Sequence, residues 1–271
     1  MENLIITPLG TVSPYSKGNK NCPGFLVEYE DQKILLDCGN GITRLLNLPE
    51  DLKNMSIIIS HLHKDHYGDL LSLGYASYVY KQLGILTEPI NVYLPEYETE
   101  VTKFYGWDCD CKYYEKMADA EFLDNFGDEH YLNFNLVKKH IKVDIANLKI
   151  SFMQTKHSIK NYAIKIETPQ QKIVYSGDTG YEYNNFGTFA KDVDLFICES
   201  TFLRGQLKSK DEHLYAFEAA KIAKEAGVKQ LMLTHFWPEI DSDEYVKEAK
   251  EIFENVIAAE EGKKLIIGRT S

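Results

Sequence analysis

Long apolar runs are missing from this 271-residue chain. The longest, such as Ile57–Ile59 and Leu265–Ile267, are strand-length, far from the roughly 20 residues of a membrane span. No membrane association is expected. Cysteine is scarce. The five cysteines, Cys22, Cys38, Cys109, Cys111 and Cys198, are odd in number and lack a framework spacing, which argues against a disulfide-built scaffold. Cys38 and Cys198 sit in apolar, strand-like surroundings and read as buried free thiols. Cys109 and Cys111 form a close pair able to bind a metal or oxidise, and are expected to be reduced thiols on a loop. Positive charge is also short. With 30 Lys and Arg against 41 Asp and Glu, the net charge is −11, so the basic footprint of a nucleic-acid binder can only be local. The local candidates are Lys156, Lys160 and Lys165, and Arg204, Lys208 and Lys210, each expected on a solvated face. The first residues, Met1-Glu2-Asn3-Leu4-Ile5-Ile6, are acidic where a signal peptide is basic, which points to the cytoplasm.

What is present is a steady alternation of strand-like and helix-like segments, with no Ser/Gly linker and no repeat. Strands are expected at Leu4–Thr7, Phe25–Tyr29, Lys33–Asp37, Met55–Ser60, Ile90–Leu94, Leu148–Gln154, Tyr162–Glu167, Lys172–Ser176, Leu195–Glu199, Gln230–Thr234 and Lys264–Ile267. Helices are expected at Gly68–Leu83, His213–Ala226 and Asp243–Ala258, with Gly227 stopping the second and Asp241 or Ser242 capping the third. One-sided helices cover sheets from outside, so the expected fold class is α/β, a four-layer αββα sandwich with two mixed sheets, in a single domain spanning 1–271. The segment 96–139, rich in Tyr, Asp and Glu, reads as a helical insertion near the mouth of the site, or equally as a packing segment.

The densest chemistry is His61-Leu62-His63-Lys64-Asp65-His66, directly after the apolar run Ile57-Ile58-Ile59-Ser60. In extended backbone His61 and His63 point the same way. Asp65 and His66 fall on the turn into the next helix, within reach of a second ion. Imidazole suits zinc, and carboxylate adds charge and oxygen ligation. A His-rich polar turn is the plain alternative. Three more polar residues, His157, Asp178 and His235, each follow a run that should be buried, which places them at strand ends facing a common cleft.

His-x-His-x-Asp-His after a buried strand resembles the signature of the metallo-β-lactamase-fold hydrolases. The resemblance implies the αββα fold over essentially the whole chain and two divalent ions, zinc by default, with manganese or iron also suited to the cage. It further implies that His61, His63 and His157 hold one ion, that Asp65, His66 and His235 hold the other, and that Asp178 bridges them. A bridging water of lowered pKa would be the nucleophile, and Asp37 would orient a ligand from behind. Asp at the bridging position departs from the true β-lactamases, and His63 stands where flavodiiron proteins carry Glu.

Glu199-Ser200-Thr201-Phe202, then His213, then Leu233-Thr234-His235, resemble the transfer-RNA 3′-processing endonucleases (RNase Z) and related phosphodiesterases. In that branch the Glu supports a His that protonates the leaving oxygen, so Glu199 and His213 join Asp65 as expected catalytic residues. The alternative for His213 is a polar residue at a helix start. The long transfer-RNA-gripping arm of those endonucleases has no counterpart between His157 and Asp178. A small phosphodiester or nucleotide is therefore the expected substrate, with no extended nucleic acid. Alternatives are an RNA endonuclease working without the arm, an ester, lactone or thioester hydrolase, and a non-catalytic metal-binding module. The relatives suggest a homodimer.

Overall fold

The apolar runs become strands in the computed structural model, which describes residues 3–96, 130–139, 141–182, 185–207 and 211–268. One sheet is made of β1 (Leu4–Gly10), β2 (Gly24–Tyr29), β3 (Gln32–Leu36), β4 (Met55–Ile58), β5 (Ile90–Pro95), β6 (Leu132–Val137) and β14 (Leu265–Ile267). Its order is β14-β1-β2-β3-β4-β5-β6. The other is made of β7 (Lys142–Ile145), β8 (Leu148–Gln154), β9 (Tyr162–Glu167), β10 (Lys172–Tyr175), β11 (Leu195–Glu199), β12 (Leu231–Thr234) and β13 (Val256–Ala258), in the order β13-β12-β11-β10-β9-β8-β7. Both sheets are mixed. Pairing is parallel from β3 to β6 and from β10 to β13, and antiparallel elsewhere.

The sheets bury one face against each other. Leu4, Ile6, Phe25, Val27 and Ile58 from the first meet Ile150, Ile164, Tyr175 and Ile197 from the second, with the Phe25 and Tyr175 rings 5.5 Å apart. The outer faces are covered by helices. On the first sheet α1 (Lys64–Tyr67) and α2 (Leu70–Gln82) bring Leu70 and Leu73 over Leu35, Ile57 and Val92. On the second, α3 (Phe186–Phe189), α4 (Ala216–Ala226) and α5 (Ser242–Lys250) bring Phe186, Ala219, Ile222, Ala223 and Tyr245 over Val174, Phe196 and Leu233. This is the expected αββα layering.

Local signals set the helix ends. The Tyr215 N–H donates to the Glu218 side chain at the start of α4. Gly227, at φ 66°, takes the left-handed conformation that ends it. Asp241, rather than Ser242, caps α5 by accepting from the Asp243 N–H. Two expectations need correcting. The helix expected over Asp243–Ala258 stops at Lys250, and Val256–Ala258 is strand β13, parallel to β12. Its β-branched Val256 and Ile257 fit a sheet edge as well as a helical stripe, and the Asn255 side chain anchors the turn on the Lys229 carbonyl at 2.6 Å. Within 96–139, read as a helical insertion or equally as a packing segment, Leu132–Val137 is not helix but β6, paired with β5. Residues 97–129, with Trp107, Cys109 and Cys111, lie outside the described residues, as do Lys208 and Lys210. Cys22, Cys38 and Cys198 are buried free thiols. No helix among the described residues is long and apolar enough to cross a membrane.

Candidate metal centre

The chemistry gathers where the parallel strands end, the edge at which open α/β sheets bind ligands. From the first sheet, β4 runs through Ser60 into His61 and His63, and α1 carries Asp65 and His66. From the second, His157 follows β8, Asp178 follows β10, Glu199 ends β11 and His235 follows β12. The turns are tight and specified. Gly177, at φ 55°, precedes Asp178, and a Cβ there would stand 2.7 Å from the Asn161 amide. His235 holds φ 64° and Asp37 φ 57°, uncommon for residues with side chains.

Three groups of side chains converge so that one ligand atom from each lies within 4.8 Å of the others: His61, His63, His157 and Asp178; Asp65, His66 and His235; and Asp178, His213 and His235. In the first group the His63 Nδ1 lies 3.0 Å from the His61 Nε2 and 3.1 Å from the His157 Nε2. Asp178 Oδ2 stands 3.5 Å from the His61 Nε2 and 3.7 Å from the His157 Nε2. In the second, His66 Nε2 is 3.4 Å from His235 Nε2 and 3.6 Å from Asp65 Oδ2. The other Asp178 oxygen, Oδ1, faces this group, 3.4 Å from His66 and 3.2 Å from His235. One buried carboxylate thus turns one oxygen to each group.

The far sides of these imidazoles fix their tautomers. Asp37, fully buried, accepts from the Ser60 hydroxyl at 2.9 Å, the His66 Nδ1–H at 2.7 Å and the Tyr175 hydroxyl at 2.7 Å. Since the Ser60 proton goes to Asp37, its oxygen accepts from the His61 Nδ1–H at 3.0 Å. His157 Nδ1–H donates to the Glu212 carbonyl at 3.0 Å. Glu199 takes the Thr201 hydroxyl proton at 2.8 Å, so Thr201 in turn accepts from the His235 Nδ1–H at 2.8 Å. In their neutral forms His61, His66, His157 and His235 therefore aim an Nε2 lone pair inward, whereas His63 faces its group with Nδ1.

This donor set fits divalent cations. Asp178 Oδ1 is buried with no hydrogen-bond donor, and the Nε2 atoms of His66 and His235 face it at 3.4 Å and 3.2 Å. Burial pushes His61 well below the usual imidazole range and His63 down to about 4, so both are neutral at pH 7. His66 behaves differently. Burial works against its charge, but Asp178, Asp65 and Asp37 hold it well above the usual range. Imidazole-rich sites with carboxylate suit zinc, manganese or iron, and the rear hydrogen bonds are the kind that orient metal-bound His.

Beside this centre lies a second unit. His213 Nδ1 donates to Glu199 Oε1 at 3.0 Å and stands 3.8 Å from Asp178 Oδ2. The shorter contact makes Glu199 its partner. Glu199 is buried and also accepts from the Thr179 N–H at 2.8 Å and the Leu214 N–H at 3.1 Å. Burial works to lower the His213 pKa, but Glu199 and Asp178 raise it to about 9. Burial works to raise that of Glu199, and His213 holds it below the usual carboxylate range.

All sequence-derived site residues, Asp37 included, thus meet at one edge. Ser13, Ser60, Tyr175 and Thr201 were not read from the sequence. Ser13 donates to Asp65 Oδ2 at 2.7 Å. Thr201 alone had a local signal, because two residues along extended backbone it shares a side with Glu199.

The comparisons with known proteins agree with this geometry. Probable metallo-hydrolase YhfI of Bacillus subtilis is 28% identical over 249 residues, covering 92% of this chain and 93% of its own. Its crystal structure superposes with a TM-score of 0.81 at 25% identity, covering 98% of this chain and all of the other. Ribonuclease Z of Saccharolobus solfataricus is 30% identical over 278 residues, covering 90% and 93%. Human tRNase Z, short form, shares the fold with a TM-score of 0.69 at 21% identity, covering 97% and 99%. The chain is a metallo-hydrolase homologue with the metallo-β-lactamase fold, close to the RNase Z branch. The model of one family in particular, described as anti-Pycsar protein Apyc1, matches residues 4–256, nearly the whole chain, and to that family this protein belongs.

Proposed function

We propose that the protein is a two-metal phosphodiesterase acting on small phosphodiesters, cyclic nucleotides and short nucleotides among them. One observation carries the reading. A buried carboxylate, Asp178, divides its oxygens between two His-rich groups, and a carboxylate-paired imidazole, His213, stands 3.8 Å away. In this reading His61, His63 and His157 would hold one ion and Asp65, His66 and His235 the other, with Asp178 shared between them and zinc the natural choice. Such a pair supplies a water of lowered pKa and a clamp on the attacking and leaving oxygens.

The protein's own groups do the rest. Asp37, Ser60 and Thr201 fix the ligand rings. Glu199 holds the His213 Nδ1–H, so Nε2 is the atom that would carry the transferable proton. Expelling an alkoxide from a phosphodiester needs such an acid. An ester, lactone or thioester hydrolase would share the ligands without needing His213.

Substrate size rests on two observations. Between His157 and Asp178 the chain forms only β9, β10 and their turn. Three basic residues nearby are engaged: Lys156 with Asp211 and Glu182, Lys160 with Glu96, Arg204 with Glu251. Both weigh against a long RNA. The relatives called ribonuclease Z support a phosphodiester and leave RNA as the competing substrate.

A substrate panel tests the reading. Metal-reconstituted protein is expected to cleave chromogenic phosphodiesters and cyclic nucleotides, and to leave transfer-RNA precursors nearly intact. Efficient precursor cleavage with a steep salt dependence would establish the RNA reading instead. Turnover of lactones or thioesters alone would establish the ester reading.

A further inference from the structure

Trp237 leaves a large ring 36% exposed two residues beyond His235. Its backbone is held on all sides. Phe236 before it is buried and bridges to Val12, and Pro238 after it is buried. The Trp237 N–H donates to the Tyr245 hydroxyl at 3.3 Å, and its carbonyl accepts from the Ile240 N–H at 3.1 Å. The indole is therefore presented by a fixed loop that starts at a site histidine.

A line of rings joins it to the proposed acid. Trp237 meets Phe202 edge to face with centroids 5.4 Å apart, and Phe202 meets His213 in the same manner at 6.3 Å. His213 in turn stacks on His235 at 5.2 Å. The steps of 5.4 Å and 6.3 Å keep the indole within about 12 Å of the His213 ring, about the length of a mononucleotide. A half-open indole at that distance from a phosphodiester-cleaving centre suits a planar heterocycle, because every nucleobase offers a π-face to an aromatic ring. Being held in place beforehand, it loses little freedom on binding.

We infer that Trp237, backed by Phe202, is a specificity-determining residue, the platform on which the base of a nucleotide substrate stacks. This rests on the phosphodiesterase reading, and the test separates the two. Metal-reconstituted wild type, Trp237→Ala and Trp237→Phe are assayed with adenosine 3′,5′-cyclic phosphate and with its counterpart lacking the base, alongside metal content. Trp237→Ala is expected to raise KM for the cyclic nucleotide about ten-fold with little change in kcat, erasing most of the preference over the abasic compound. Trp237→Phe should keep that preference. An unchanged preference in Trp237→Ala overturns the platform. Binding is read independently. The chain has two tryptophans, so in a Trp107→Phe background the fluorescence reports Trp237. Quenching by adenosine monophosphate and not by ribose 5-phosphate supports the platform, even if wild type hydrolyses neither cyclic compound, a result that would sink only the phosphodiesterase reading. Equal response to both ligands overturns the platform.

Discussion

The Thr201 hydroxyl oxygen lies 2.8 Å from Nδ1 of His235. Because Glu199 takes the Thr201 proton, this contact holds the His235 Nδ1–H and turns the lone pair of Nε2 inward. One carboxylate therefore governs His213 through one oxygen and His235, via Thr201, through the other. Thr201→Val keeps the shape and removes the hydroxyl. It is expected to weaken binding of one of two ions about 10- to 100-fold, as loss of such supports does, whereas Thr201→Ser should bind nearly as wild type. Chelator competition measures this, and equal affinities for Val and Ser would refute the relay.

Asp178 gives a sharper result. Protein purified without chelator should carry about two transition-metal ions per chain by elemental analysis. Asp178→Ala should lose much of that metal and nearly all turnover. Ions that bind only the folded state also raise its stability, so exhaustive chelation should lower the melting temperature of wild type far more than that of Asp178→Ala. Full activity after complete metal removal would end the metal reading.

His213→Ala should retain its ions, because the His213 ring faces Glu199. Turnover of a phosphodiester with an alkoxide leaving group is expected to fall about 10²–10⁴-fold, the usual worth of a general acid. With p-nitrophenolate as leaving group the loss should be much smaller, since that anion needs little protonation. Equal losses for both leaving groups would mean that His213 positions substrate, and the ester-hydrolase reading would gain.

The same residue makes a pH prediction for metal-free protein. His213 rises from 6.5 to about 9 on folding, so its contribution to stability is fully present below the unfolded value and is lost as pH rises through about 9. Glu199 is shifted the other way, down from 4.5. Its contribution is present above 4.5 and lost as pH falls below it. The melting-temperature gap between wild type and His213→Ala should thus be widest near pH 6 and close above pH 9. A gap that widens with rising pH would contradict the pairing.

Much of this was legible in advance for a physical reason. Each candidate ligand follows a run that had to be buried, so its position at a sheet edge was fixed by hydrophobic pattern alone. Supports reached across the fold were not. Ser13 meets Asp65 from 52 residues away and Tyr175 meets Asp37 from 138, distances over which no local pattern speaks. Other errors came from ambiguous periods. Val256 and Ile257 satisfy both a helical stripe and a strand, and only the turn at Asn255 decides between them. Leu132-Asn133-Phe134-Asn135-Leu136 alternates as a strand should, a signal masked by the acidic, Tyr-rich residues before it.

The division of the site between the two sheets has a mechanical consequence. His61, His63, Asp65 and His66 come from the first sheet, His157, Asp178 and His235 from the second, and each of the two proposed ion sites draws on both. His66 and His235, 3.4 Å apart, are separated by 169 residues of chain. Ions held there would rivet the layers together at one edge and close a loop covering most of the sequence, constraining the chain wherever the ligands are already assembled. The layers of the metal-free protein should therefore part first at this edge, exposing Ile58 and Tyr175 to solvent before the far side of the sandwich opens.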